Sequence, residues 1–166
     1  MLLILFGLPG AGKSFAGRLL RDRFGFVFHE ADDDIPDDYK RDVAAGQVVD
    51  DERRDDYHRH LLDRLAELHA AHPRLAVAVP LLRDRHRRWI QDRLPESIFI
   101  LVQCEPARWR ARLDSRAHTV GLDYAQKIIS LYESPTVFHW ILDDSAEGPA
   151  DIERQLAAIL DQLRND

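Results

Sequence analysis

Lys13 and Ser14 end the run Gly7-Leu8-Pro9-Gly10-Ala11-Gly12-Lys13-Ser14, which meets G-x-x-x-x-G-K-[ST] at every fixed position. Residues of these types at this spacing cradle phosphates. Glycines let the backbone close around the oxygens, so that successive N–H groups point inward. A helix opening at the end of the run adds its unpaired N–H groups and the positive end of its dipole. Lys13 supplies a charge to the β- and γ-phosphates, and the Ser14 hydroxyl is a ligand for Mg²⁺. Gly7, Gly10, Ala11, Gly12, Lys13, Ser14 and the following Phe15 are therefore the expected nucleotide site, with ATP and Mg²⁺ as its occupants.

A second chemical cluster, Glu30-Ala31-Asp32-Asp33-Asp34, directly follows a short apolar stretch. In an open α/β sheet, the end of a strand borders the crevice where ligands bind. Asp32 is expected to take a proton from an acceptor hydroxyl or to help hold Mg²⁺. The alternative is a solvated acidic loop, which is the reading for Asp37 and Asp38. Arg83 and Arg87 are four apart, hence on one helical face, and suit an anionic substrate through bidentate contacts. Arg54 is a third candidate for that anion site, and plain surface charge is the competing reading for all three. Arg112 and Arg116, again four apart, are placed to close over the γ-phosphate and neutralise developing charge. The histidines make poor metal ligands. His58 and His60 are two apart and fall on different helical faces, and His69, His72 and His139 have no clustered partners. Structural or surface roles are expected for them.

These residues need a scaffold. Apolar runs at residues 2–6, 26–28, 75–79, 98–102 and 136–142 read as strands. Between and after them, helical spacing marks 13–23, 52–71, 83–93, 106–115, 123–132 and 152–163. Strands alternating with helices imply a five-stranded parallel sheet covered on both faces, an α/β fold of the P-loop NTPase kind. At 166 residues the chain suits one domain, with a small lid over about 113–123. Its 45% apolar content is ordinary for a globular protein, and a net charge of −6 argues against general nucleic-acid binding. No apolar stretch approaches membrane-spanning length, and the single cysteine, Cys104, excludes an intramolecular disulfide. A cytoplasmic protein, monomeric or homodimeric, is expected.

The ordered set of motifs resembles the gluconate kinase family, which is itself similar to shikimate kinases. Glu30-Ala31-Asp32-Asp33-Asp34-Ile35-Pro36 is similar to that family's D-G-D-x-x-H-P element. Asp50-Asp51-Glu52-Arg53-Arg54 looks like its acidic turn and arginine, and Arg112-Leu113, Arg116 and His118 look like its lid residues. Ala78-Val79-Pro80-Leu81-Leu82-Arg83, then His86-Arg87-Arg88, stands where the family has A-C-S-A-L-K and then Y-R-D. Gln126 and Glu133-Ser134-Pro135 are similar to the closing Q and L-E-x-P. The resemblance implies a kinase that moves the γ-phosphate of ATP to a hydroxyl of a sugar acid or similar anionic, polyhydroxylated molecule. It adds Glu30 and His118 to the substrate residues. Ile35 replaces the family's histidine, Glu30 its first aspartate and Pro80 its serine. An isoleucine cannot hydrogen-bond a sugar hydroxyl, so an acceptor with a less polar edge is expected there. Nucleoside or nucleotide kinases share this plan, and a nucleotide-binding regulatory module with little turnover is the reading from another class.

Overall fold

Leu2–Phe6 forms strand β1, five consecutive apolar residues with no exposed surface, as a strand covered on both faces requires. A computed structural model describes residues 1–115, 122–145 and 148–165. Around β1 lie β2 (Val27–Glu30), β3 (Leu75–Ala78), β4 (Ser97–Gln103) and β5 (His139–Asp143), all parallel, in the order β2-β3-β1-β4-β5. Leu2 sits opposite Leu75 on one side and Ser97 on the other. The chain turns outward in opposite directions on either side of β1, and the crevice beyond its carboxyl end is where ligands bind in such sheets.

The pleat of β1 divides the core in two. Leu2, Ile4 and Phe6 pack with Tyr57, Leu61 and Leu65 of α3 (Asp51–Ala71) and Ile90 of α4 (Asp84–Arg93). Leu3 and Leu5 pack with Ala16 and Leu20 of α1 (Lys13–Phe24) and with Ile152, Leu156 and Ile159 of the C-terminal helix, Pro149–Asn165. Each leucine or isoleucine so buried contributes roughly 1.5–3 kcal/mol. Helix α3 begins where Asp50 accepts a hydrogen bond from the Arg53 N–H at 2.9 Å, a side-chain cap, and it stops just before Pro73.

Several boundaries differ from the sequence reading, three of them near the cleft or the sheet edges. The segment read as an acidic loop holds a 3₁₀ turn at Ala31–Asp34 and a helix, α2, at Asp37–Ala44. Pro36 stands just before this helix, and Asp37 and Asp38 lie at the positive end of its dipole. Tyr39 is buried, and Arg53 of α3 bridges Asp38 at 2.9 Å and Asp42 at 2.6 Å. Strand β2 runs two residues further than its apolar run, so Glu30 is its last residue. Strand β5 starts later than expected, because Thr136 is bonded to Asp84 by both its hydroxyl and its N–H, at 2.5 and 2.9 Å. Two further helices, α5 (Pro106–Ser115) and α6 (Leu122–Ile129), lie before β5; the C-terminal helix is α7. No described helix is long and apolar enough to cross a membrane.

Candidate active site

The loop between β1 and α1 has the shape its glycines allow. Gly7, Gly10 and Gly12 have φ of 137°, 79° and 109°, values that side chains other than glycine rarely adopt. Two of them are also pressed from behind. A β-carbon on Gly7 would lie 2.3 Å from the Val102 carbonyl oxygen, and one on Gly12 would lie 2.2 Å from Asp144 Oδ2. Asp144 is buried and bound to Arg112 at 2.6 Å. Trp109 of α5 donates its indole N–H to the Pro9 carbonyl at 2.7 Å, which fixes the outer edge of the loop. Ala11 turns its methyl into the core and gives its N–H to the Leu8 carbonyl at 3.2 Å. Gly7 and Ala11 therefore shape the loop, whereas Gly10, Gly12, Lys13, Ser14 and Phe15 line the cleft in front of it.

Lys13 is buried and donates to the Gly7 and Leu8 carbonyls at 3.1 and 2.9 Å. Burial lowers its pKa, an effect opposed by the nearby carboxylates of Asp32 and Glu30. The Glu30 carboxylate faces the Ser14 hydroxyl, which lowers its pKa, while burial outweighs this and raises it. Glu30, read as a substrate residue, thus sits against the serine of the phosphate loop. Asp32 is exposed to solvent at the cleft, yet the protein atoms crowded around its carboxylate raise its pKa, with Lys13 pulling the other way. Tyr57 of α3 donates to the Ala31 carbonyl at 2.7 Å, and Lys40 of α2 to the Asp33 carbonyl at 3.1 Å, so the turn bearing Asp32 is tied to both helices.

Beyond Asp32 the cleft, about 300 Å³, changes character. Its far wall is made by Ile35, Tyr39, Val43, Leu82, Tyr124 and Ile128, and Pro80 lies between the two ends. All three departures from that family's pattern, Glu30, Ile35 and Pro80, are therefore cleft residues. Tyr124 keeps its proton at ordinary pH, its pKa pushed up to about 12 by burial. Arg54 and His58, one helical turn apart on α3, are the cationic and imidazole groups of this wall.

Arg83 and Arg87 are not brought to the cleft. Arg83 forks onto Asp51 at 3.0 and 3.1 Å and meets Glu133 at 3.2 Å, outside the lining. Arg87, 0% exposed, donates to the Leu81 carbonyl at 2.5 Å, the Glu133 carbonyl at 2.6 Å and Asp84 at 3.2 Å. Its guanidinium also lies between the rings of Phe6 and Tyr132, with centroids 5.6 Å away on each side. Both arginines meet Glu133, and buried carbonyls and acidic neighbours already use their donors. Arg112 is bound to Asp144 behind the phosphate loop. Arg116, His118 and most of the expected lid lie outside the described residues.

His58 was missed. Its pairing with His60 was weighed as a metal site and dismissed, yet the ring is buried and belongs to the cleft. The available signal was its place: it follows Arg54 and Tyr57 by four and one residues, on the same face of α3.

No protein-family model matches the sequence, and no curated protein matches it. Solved structures do. A gluconokinase from Sinorhizobium meliloti 1021 superposes over 97% of this chain and 91% of its own, with a TM-score of 0.81 at 23% identity. A sugar kinase from a Janibacter species covers 98% and 94%, with a TM-score of 0.82 at 19% identity. An APS kinase from Mycobacterium tuberculosis, solved with AMPPNP and APS, covers 98% and 96% at 0.66 and 16%. The structural likeness thus includes the kind of enzyme whose motifs the sequence resembles, and this chain has the P-loop NTPase fold that such kinases share.

Proposed function

We propose that the chain is an ATP-dependent small-molecule kinase whose acceptor carries a hydroxyl and an anionic group, as a sugar acid does. One observation carries the reading: Lys13 of the phosphate loop and the Asp32 carboxylate share one cleft, whose lining also includes the buried Arg54. A nucleotide switch needs the first part of this arrangement; a phosphotransferase also needs the second.

In the proposed reaction the acceptor oxygen forms a bond to the γ-phosphorus as the bond to the β–γ bridging oxygen breaks, and ADP leaves with that electron pair. The acceptor proton passes to Asp32, whose raised pKa makes it a better base than an aspartate at its ordinary value. Lys13 places a charge at the phosphates, and the loop N–H groups fix their position. Arg54 orients the acceptor by its anionic group. Ser14, Glu30 and Asp32 gather hard oxygen donors beside the loop, a set that fits Mg²⁺ shared with a nucleotide, held by Ser14 and Asp32. When bound there, Mg²⁺ would neutralise charge on the β- and γ-phosphate oxygens.

The test is a coupled ADP-release assay across sugar acids, polyols, shikimate-like acids, antibiotics and nucleosides, with Lys13→Ala as the control. Release that depends on Lys13 and on an anionic hydroxy compound supports the reading. Release only with nucleosides or neutral alcohols would refute the acceptor class.

A further inference from the structure

Two buried nitrogens on the acceptor wall have no role in the chemistry above. Arg54, 4% exposed, donates Nη2 to the Val49 carbonyl at 2.8 Å. Its Nε lies 3.8 Å from Asp51 Oδ1, beyond hydrogen-bond reach, and has no hydrogen-bond partner among the described residues. His58, 5% exposed, has Nδ1 at 2.7 Å from the Arg54 carbonyl oxygen. A carbonyl oxygen only accepts, so Nδ1 carries the proton and Nε2 is left with a lone pair. That Nε2 is buried and has no donor among the described residues. Burial, with the neighbouring His86 and Arg54, keeps the ring neutral down to a pKa of about 3.

The ring is also held at a fixed angle. It stacks on His86 with centroids 3.8 Å apart and planes 12° apart, and His86 is anchored to Asp55 at 2.7 Å. Tyr57 packs edge-on at 4.9 Å. A rigid, neutral, buried acceptor without a donor is costly unless a ligand supplies one. The wall that shares the cleft with it is mostly apolar, with Ile35, Val43, Leu82 and Ile128, and the Tyr39 and Tyr124 rings bring its hydroxyl groups.

We infer that His58 sets acceptor specificity: its Nε2 receives a hydrogen bond from a hydroxyl or amine of the molecule whose anionic group meets Arg54, and whose remaining outline is apolar. The substrate class is then a hydroxy acid with a deoxy, alkyl or carbocyclic edge, not one with a hydroxyl on every carbon. This rests on the kinase reading above and narrows it. A site that hydrogen-bonds one group rejects analogues lacking it strongly, while an apolar surface disfavours surplus hydroxyls more modestly, by up to about a hundredfold.

The experiment measures kcat/KM by ADP release for D-gluconate, 2-deoxy- and 3-deoxy-D-gluconate, quinate, shikimate and uncharged myo-inositol. A deoxy or cyclic acid should exceed D-gluconate at least tenfold. The best acceptor is then compared with analogues lacking one hydroxyl at a time, in the parent, His58→Phe and His58→Gln. In the parent, one hydroxyl should matter about 10- to 100-fold. His58→Phe should shrink that ratio to about twofold with KM for ATP unchanged, and His58→Gln, whose amide oxygen can accept, should restore part of it. Thermal melting with and without ATP checks the fold; were His58→Phe not to fold, His58→Gln and His58→Leu carry the same comparison. Equal loss for hydroxylated and deoxy acceptors would overturn the role of His58 alone, leaving the kinase reading intact. D-gluconate as best acceptor would overturn the substrate class. No Lys13-dependent release from any acid would bring down the kinase reading and this inference together.

Discussion

The two ends of the cleft are built by different means. The phosphate end is backbone: a loop whose glycines have positive φ, braced by Val102, Asp144 and Trp109. The acceptor end is side chain, contributed by α2, α3, α6 and the segment after β3, with no two neighbouring wall residues fixed by one motif. Backbone recognises what every nucleotide has in common. Side chains from scattered elements recognise what one acceptor has and others lack. The first end can therefore be common to many kinases while the second differs from chain to chain.

Mutations should separate the two ends. The largest effect is expected at the phosphate end, where Lys13→Ala should lower kcat/KM by about a thousandfold or more. Because burial already disfavours the Lys13 charge, its melting temperature without nucleotide should equal or slightly exceed the parent's. Turnover close to the parent's would break the assignment of this end.

Asp32 stands at the junction. Asp32→Asn keeps the shape and removes the base, so kcat should fall about 10²- to 10³-fold with ATP affinity nearly intact. Since burial raises the Asp32 pKa, the parent's kcat should fall with acid at a pH above the ordinary aspartate value of 3.8, and the variant's should lose that limb. Equal pH profiles would return Asp32 to a solvated loop.

Arg87 sharpens the contrast from outside the cleft. Arg87→Met should cost about 3 kcal/mol, since it leaves the Leu81 and Glu133 carbonyls without their donor and takes one of the partners of Asp84. The melting temperature should fall by roughly 10 °C, with acceptor KM changed less than about threefold. A selective rise in KM for an anionic acceptor would place Arg87 back in the site.

The smallest effect is a pH dependence of stability at the acceptor end. His58 is packed against His86, Arg54 and Tyr57, with Asp55 beyond, and its folded pKa is about 3 against an ordinary 6.5. Below pH 6.5 the unfolded chain takes up a proton that the folded chain refuses, so acid costs the folded state stability until the pH reaches about 3. Between pH 7 and 5 the loss should be about 2 kcal/mol, and His58→Phe should abolish that part of it. Identical urea midpoints for parent and variant across this range would show a ring that protonates freely in the fold.

The sheet was legible because parallel strands leave continuous apolar runs, and the phosphate loop because its geometry demands glycine at fixed spacing. Helix α2 was not, since eight residues led by Pro36-Asp37-Asp38 look like solvent-facing polarity; only Tyr39 and Val43, four apart, hint at a buried face. Arg83 and Arg87 were misplaced for a related reason. Spacing brings Asp84 within one turn of Arg87 but says nothing of the Asp51 and Glu133 groups that claim the two arginines from distant parts of the chain. His58 was invisible as a site because its function depends on an unused lone pair, which only the partners of its other nitrogen reveal.

Gly12 is constrained twice over, by its φ of 109° and by the Asp144 carboxylate lying where a methyl would go. Gly7 is hemmed in the same way by the Val102 carbonyl. Neither constraint involves a nucleotide. A descendant of this chain that lost catalysis would still be held to glycine at both positions by the demands of its own interior. The glycine signature in its sequence would outlive the activity, and the loss of Asp32, which is exposed and makes no side-chain hydrogen bond among the described residues, would be the first change to record it.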